Sequence, residues 1–566
     1  MVYKIADNIT SPLGNTTAAN FEAVVSGKSA VRTYSGRWGL PFSFAASLFT
    51  DEQEMAMATQ GLTRFESMAL ASVRKAVRAA GIEQSGSDVV FILSTTKGNE
   101  FLPEGRGPLP GDSARKIARL AGIQTEPVVV CNACISGLSA IILAKRLLEM
   151  DAYRYAVVCG ADSQSKFIVS GFQSFKALSD QPCRPFDMER LGLNLGEAAA
   201  TMALSRQTEG SQWAIASGAV RNDAYHISAP SRNGEGCFRA LQSVLEDVDR
   251  KQIAFVNAHG TATMFNDQME SVALERAGLT DVPVNALKGY CGHTMGAAGV
   301  LETVLSMYAM DRNMLIGTCG FSELGVSGHI SVAADSQPLS GKTQFVKILS
   351  GFGGCNAAIR VESVEWKEER GKRREESMEL KVTHRVTISP RRVTIDGSPV
   401  QAEGEGKELL TDVYKRYIDN YPKFYKMDML ARLGFVASEL LLQAEAGQSQ
   451  PARQREDRAV ILFNRSSSLS ADRHFHESIQ NADDFYPSPS VFVYTLPNIV
   501  AGEIAIRNGY VGETSFYVLA RRDDALMEKI FQASMLDPAT KSIIGGWVDC
   551  ESEELFEADL FLMEKR

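Results

Sequence analysis

Two kinds of segment alternate along the first 362 residues. Apolar, β-branched runs such as Val89-Val90-Phe91-Ile92-Leu93 and Tyr155-Ala156-Val157-Val158-Cys159 are continuous, with no polar residue every second position. That is how strands read when both faces of a sheet are covered. Between them lie helical stretches such as residues 65–80. The alternation predicts an α/β fold with a mostly parallel, buried sheet and helices on its faces. It stops at residues 367–376, ten positions of which nine are charged, which reads as a solvated linker or an exposed helix.

Beyond that break the pattern of the first part returns. Residues 432–440 echo residues 64–72, and each is followed by a strand-like run, 457–463 and 88–93. A third strand (515–519 against 128–131) and a fourth (557–563 against 197–205) extend the match. Internal self-similarity of this kind indicates a duplicated unit, with chance alignment of α/β segments as the alternative. The predicted organisation is a first domain over 1–362, a charged linker over 363–376, and a second α/β segment over 377–566 related to the amino-terminal half of the first.

Composition narrows the function classes. A chain of 566 residues, 45% hydrophobic, exceeds the roughly 250–300 residues that one core supports. The net charge of −9 gives no basic field for nucleic acid or an anionic membrane surface. No apolar run approaches the ~18 residues of a membrane span, and the first ten residues lack a secretory pattern, so a cytoplasmic protein is expected. Nine cysteines, an odd number without paired metal spacing, read as reduced thiols. The single CxxC, Cys131 and Cys134, leaves a redox reading open.

Four segments carry candidate chemistry. Cys134 lies where a β-branched run turns into a helix starting near Ile135-Ser136-Gly137, so free helix amides face the sulfur and favour a thiolate. A buried, inert cysteine is the bland reading. Residues 256–263 form a strand that runs into a small-residue turn and presents His259. Residues 288–299 bring a glycine-rich approach to His293 just before a helix, whose amides would hold that imidazole neutral. Each histidine alone could be a structural hydrogen-bonder. Residues 350–357, Ser-Gly-Phe-Gly-Gly-Cys-Asn-Ala, end a β-rich run in a glycine turn whose backbone could supply an oxyanion amide, or serve geometry alone.

In this order and combination, residues 1–362 resemble the elongating β-ketoacyl-[acyl carrier protein] synthases of the thiolase-like superfamily. Asn132-Ala133-Cys134-Ile135-Ser136-Gly137 resembles the nucleophile motif, 257–263 and 288–299 the two histidine motifs, and 350–356 the closing Phe-Gly-Gly loop. Thr10 to Asn15, residues 21–30, Arg184-Pro185-Phe186-Asp187 and Gly196-Glu197-Ala198 resemble further landmarks, whereas residues 191–197 are a looser form of the usual glycine-rich segment. The resemblance implies a five-layered α-β-α-β-α fold in which Cys134, His259 and His293 converge, with Lys288 as the supporting lysine. It implies that the amides of Cys134 and Phe352 form the oxyanion hole, that Phe352 gates the acyl chain, and that Glu270, Asp267 and Asn257 support the geometry.

The activity implied is decarboxylative condensation of an acyl group on Cys134 with malonyl-[acyl carrier protein]. No cofactor or metal is expected beyond the carrier's phosphopantetheine arm. The partners implied are acyl carrier protein and a second ketosynthase-like subunit, in a homodimer or heterodimer. Arg184, Arg190 and Lys176 are candidate docking cations. The rival readings are a non-decarboxylating acyltransferase and a scaffold or chain-length subunit. The second segment carries Val518-Leu519-Ala520-Arg521-Arg522 where a nucleophile run would stand, and so reads as non-catalytic.

Overall fold

The structure is a computed structural model of the chain. It describes all residues except 83–85, 100, 103–104, 209, 340, 365–379, 447–454, 482–484 and 566. The charged run at 367–376 lies outside the described residues.

Fifteen principal strands fall into three units of five. The first unit comprises β1 (Val2–Thr10), β2 (Val89–Ser94), β3 (Val128–Val130), β4 (Tyr155–Asp162) and β5 (Ala198–Ser205). The second comprises β6 (Trp213–Asn222), β7 (Ile253–Asn257), β8 (Pro283–Asn285), β9 (Gln344–Gly351) and β10 (Cys355–Ser363). The third comprises β11 (Leu380–Ser389), β12 (Arg458–Asn464), β13 (Thr514–Val518), β14 (Ser542–Cys550) and β15 (Phe556–Lys565).

Strand order repeats in each unit. The first runs β1-β5-β4-β2-β3, with two antiparallel pairings followed by two parallel ones. The second, β6-β10-β9-β7-β8, has the same sequence of pairings. So does the third, β11-β15-β14-β12-β13. The strands that echo one another in sequence, β2 with β12, β3 with β13 and β5 with β15, hold the same places in their sheets.

The units join at their edges. Val2 and Tyr3 of β1 pair with Ile215 and Ala214 of β6. On the far side of the first unit, Val129 and Val130 of β3 pair antiparallel with Val518 and Tyr517 of β13. An open strand edge would otherwise offer unpaired amides and carbonyls to another chain; here the third unit covers it.

Helices build the layers. α1 (Arg64–Ala80) starts on a capping box between Thr63 and Glu66 and buries Phe65, Met68, Val73 and Val77 against the first sheet. Its counterpart in the third unit is α5 (Met429–Ala446). The central helices are α2 (Ser136–Glu149), α4 (Ala298–Met310), which follows α3 (Met264–Arg276), and α7 (Asp524–Ser534), which follows α6 (Ile499–Asn508). α2 and α4 cross at Gly137 and Gly299, where a Cβ on Gly137 would stand 2.9 Å from the Gly299 Cα. Any side chain there would push apart the two helices that follow Cys134 and His293.

One hydrophobic core runs through all three units. Leu138 and Ile141 of α2, Val300 and Leu301 of α4, and Leu526 and Ile530 of α7 belong to it. Buried charges pin the third unit down as well. Arg146 of α2 reaches Glu513 at 2.7 Å and Asp537 at 3.2 Å, and Arg221 of β6 reaches Asp537 at 2.6 Å. Removing one member would leave a buried charge unpaired, a loss of about 3–5 kcal/mol.

Candidate active site

The candidate nucleophile, Cys134, is presented by a strained turn. After β3 the chain passes through Ala133, held at φ 47°, into a short 3-10 turn over Ala133–Ile135 and then into α2. That left-handed residue turns Cys134 away from the strand line and places it two residues before the helix. The loop is anchored in the third unit: the Cys131 amide donates to the Phe516 carbonyl at 3.0 Å, and Asn132 Oδ1 accepts from the Phe516 amide at 2.7 Å. The CxxC carries no disulfide; both cysteines are free.

The two histidines arrive from the second unit. His259 follows β7 on a turn containing Gly260 at φ 48° and Ala262 at φ 60°. Glu270 of α3 secures it, accepting the His259 amide at 2.5 Å and the Gly260 amide at 2.9 Å. Asp267 takes the Thr261 amide at 3.0 Å and the Phe186 amide at 2.7 Å, and Asn257 donates to Asn285 at 2.8 Å. Burial pushes both carboxyls up, Asp267 to about 6 and Glu270 to about 7. These three therefore build the histidine's turn from behind.

His293 sits ahead of α4, and its Nδ1 accepts the Met295 amide at 3.4 Å, which places the ring proton on Nε2. That Nε2 is buried and has no protein partner among the described residues, and neither has His259 Nδ1. The two rings meet edge to face at 5.1 Å. Side-chain donor atoms of Cys134, His259 and His293 all lie within 4.8 Å of one another. A Cys-His-His set of this spacing could also hold a soft divalent ion.

Electrostatics keep both imidazoles neutral. Burial, then the Lys288 charge, lowers each pKa well below 6.5, with His293 and Lys347 adding to the effect at His259 and Lys347 at His293. Lys288 Nζ donates to the His259 carbonyl at 2.6 Å and pairs with Glu302 at 2.8 Å. Lys347 Nζ donates to the Ala258 carbonyl at 2.9 Å and pairs with the same carboxylate at 2.5 Å. Burial alone would raise Glu302, but the two lysines hold it below the usual carboxylate range. Burial lowers Lys347 to about 8.

The sulfur behaves differently from the sequence expectation. A helix start favours thiolate, but burial pushes the Cys134 thiol up to about 12 against a smaller opposing pull from Lys288. Apolar walls around the half-buried sulfur outweigh the helix end, so the resting group is a thiol.

The Phe-Gly-Gly loop closes the site. It joins β9 to β10, and a Cβ on Gly351 would stand 3.2 Å from the Cys134 amide nitrogen. Phe352 and Cys134 share a pocket with Thr96, Lys97, Ile168, Phe172, Phe492 and Leu496, the last two from the third unit. About 10 Å³ of free space remains there, no more than one water occupies. Phe492 lies so close to Gly171 that a Cβ there would overlap its ring.

With this geometry in place, comparison with known proteins decides the family. Residues 5–210 match the family description "Beta-ketoacyl synthase, N-terminal domain", and residues 214–322 match "Beta-ketoacyl synthase, C-terminal domain". The chain belongs to the β-ketoacyl synthase family. It is 27% identical to the 3-oxoacyl-[acyl-carrier-protein] synthase 2 of Vibrio cholerae over 62% of this chain and 95% of that protein. It is 26% identical to the tetracenomycin polyketide synthase ketoacyl synthase alpha subunit of Streptomyces glaucescens, over 62% of this chain and 94% of that one. Among solved structures, the PfaC keto synthase–chain length factor superposes on 100% of this synthase and 78% of its own length, with TM-score 0.75 and 14% identity. That likeness extends the thiolase-like fold over the third unit, which lies beyond the residues those two descriptions match.

Two features of this synthase escaped sequence reasoning. Glu302 and Lys347, the other members of the buried ion triad, were visible as lone charges, Glu302 in the apolar α4 and Lys347 in the apolar β9. A single charge in a fully buried element needs a partner, and that rule would have found them. The suggested docking cations fare less well. Arg190 is buried, donating to the Asp187 carbonyl at 2.8 Å and the Gly325 carbonyl at 2.6 Å, which removes it as a surface contact. Arg184 is paired with Glu189 at 2.5 Å, while Lys176 is exposed. Among the described residues no helix is long and apolar enough to cross a membrane.

Proposed function

We propose that this synthase performs a decarboxylative Claisen condensation, with Cys134 carrying the acyl group and His259 and His293 acting on a malonyl thioester. The observation that carries the reading is the convergence of one thiol and two neutral imidazoles, whose donor atoms all lie within 4.8 Å of one another. In the first half-reaction Cys134 Sγ attacks the acyl thioester of a carrier's phosphopantetheine arm. The new acyl–Sγ bond replaces the old C–S bond, and the thiol proton leaves with the carrier thiol. The amides of Cys134 and Phe352 would hold the tetrahedral oxyanion.

In the second half-reaction the malonyl carboxylate departs as CO2, leaving an enolate on the thioester. The Nε2 protons of the histidines hydrogen-bond to its oxygen. A protonated imidazole is unnecessary, because loss of CO2 creates the carbanion and no base has to remove a C–H proton. The enolate carbon attacks the acyl-Cys134 carbonyl, the C–Sγ bond breaks, and the thiolate regains a proton from solvent. The residues supply this chemistry without an added cofactor or metal.

The third unit acts as a built-in, non-catalytic partner. It pairs with the edge strand β3, so a second ketosynthase-like subunit would have to dock elsewhere. The names of related structures support the carrier as substrate and a chain-length partner as the analogue of the third unit: one neighbour is a ketosynthase from Xenorhabdus doucetiae in complex with its chain length factor, 25% identical with TM-score 0.56 over 64% of this chain and 98% of that one. Incubation with acyl and malonyl carrier proteins tests the proposal. CO2 release with a product two carbons longer is expected; ester or amide formation without CO2 would favour a simple acyltransferase.

A further inference from the structure

The third unit contacts the Phe352 loop as well as the edge strand. Asn498, at the start of α6, is 4% exposed, and its Nδ2 donates to the Phe352 carbonyl at 2.8 Å. One turn along, Gly502 lies against the next peptide: a Cβ there would stand 2.7 Å from the Gly353 carbonyl oxygen and 2.9 Å from its Cα. Gly353, at φ 90°, is equally constrained, since a Cβ on it would stand 2.7 Å from Asn498 Nδ2. Asn222 of the second unit links the same segment to the third, donating to the Gly353 carbonyl at 2.8 Å and to Thr514 Oγ1 at 3.0 Å. On its other side the Gly353 amide donates to the Ile227 carbonyl at 2.6 Å.

A glycine loop with two left-handed residues, Gly353 and Gly354, has no intrinsic preference for one conformation. An oxyanion amide must be held within about 0.5 Å of its working position. From these contacts we propose that Asn498 is a positioning residue for acyl transfer: by fixing the Phe352 carbonyl it fixes the peptide that follows Phe352, which restricts that residue's backbone torsions and so the direction in which the Phe352 amide, in the preceding peptide, faces the reacting thioester. Gly502 shares the task by letting α6 approach the loop. The half-domain without a nucleophile thus supplies part of the geometry at the nucleophile. This inference rests on the functional reading above, with Cys134 as acyl acceptor.

The test compares two reactions of Cys134 in the full chain. Acylation by an acetyl-pantetheine thioester passes through an oxyanion and needs the loop; alkylation by iodoacetamide forms no oxyanion and does not. In Asn498→Ala, and independently in Gly502→Ala, acylation followed by intact mass is expected to slow about tenfold, short of the ~10²–10³-fold loss on removing an oxyanion donor outright. Alkylation should stay within twofold of the wild-type rate. Unchanged acylation in both variants would overturn the assignment, as would equal slowing of both reactions, which marks general damage to the site. If wild-type Cys134 accepts no acyl group from the thioester while it is alkylated, the functional reading itself fails, and this inference falls with it.

Discussion

The first and third units share one strand order and differ in the turn that leaves their edge strands. After β3 the chain bends through Ala133 at φ 47° and presents Cys134 two residues before α2. After β13 it presents Arg522 two residues before α7, and that guanidinium is paired with Asp524 at 2.7 Å and Asp559 at 2.7 Å. Ala520 packs against Gly111 instead, where a Cβ would stand 2.5 Å from its amide. The same topology therefore yields a free thiol beside two histidines in one place and an ion pair in the other. Architecture positions a site, and the side chains at one turn decide whether it has chemistry.

The largest effects break this contrast at Cys134. Cys134→Ala is expected to remove every acyl adduct seen by mass spectrometry. Adding Arg522→Cys to that variant should restore none, because among the described residues the one clustered histidine pair is His259 and His293, beside Cys134; an adduct at position 522 would erase the distinction between the units. Next come the imidazoles. His259→Ala or His293→Ala should lower malonyl decarboxylation by about 10²-fold or more while Cys134 still accepts an acyl group. Loss of acylation and decarboxylation in equal measure would contradict the division of labour.

A pH profile sharpens the same point. The two imidazoles are neutral, and burial with Lys288 and Lys347 holds both pKa values well below 6.5. As pH falls through 6.5 they remain unprotonated, so the acid limb of decarboxylation is expected below that value; a limb at or above it would contradict the assigned electrostatics.

The smallest expected effect concerns the third unit's side of the pocket. Phe492→Ala removes a ring packed on Gly171 and within 5.7 Å of the Phe172 ring, where only about 10 Å³ is free. The variant should accept longer acyl thioesters in competition with short ones, at a stability cost of about 3–5 kcal/mol. An unchanged chain-length preference would place the pocket's limit elsewhere.

How much of this was legible in the sequence depends on the range of each interaction. Cys134, His259 and His293 each stand beside a local signal, a strand end with small residues and a helix start, and their order along the chain completes the pattern. Glu302 and Lys347 were legible in principle, since a lone charge in an apolar element must be paired. Asn498 and Phe492 were not: they lie 146 residues after Phe352 and 321 after Gly171, and the docking of the third unit, by the pairing of β3 with β13 and the buried ion pairs, brings them to the site. The repeated strand order was visible as weak echoes, because buried strands keep apolar character while their residues change. Arg190 misled because arginine in a sequence reads as surface, whereas its guanidinium here is buried and donates to two backbone carbonyls.

The most direct test of the central claim is a chase experiment on the whole chain. Cys134 is first loaded from an acyl carrier protein and identified by peptide mass, and malonyl carrier protein is then added. The adduct should disappear from Cys134 as CO2 is released and a β-ketoacyl carrier two carbons longer forms; a stable adduct with no CO2, or label on any other residue, would contradict the account.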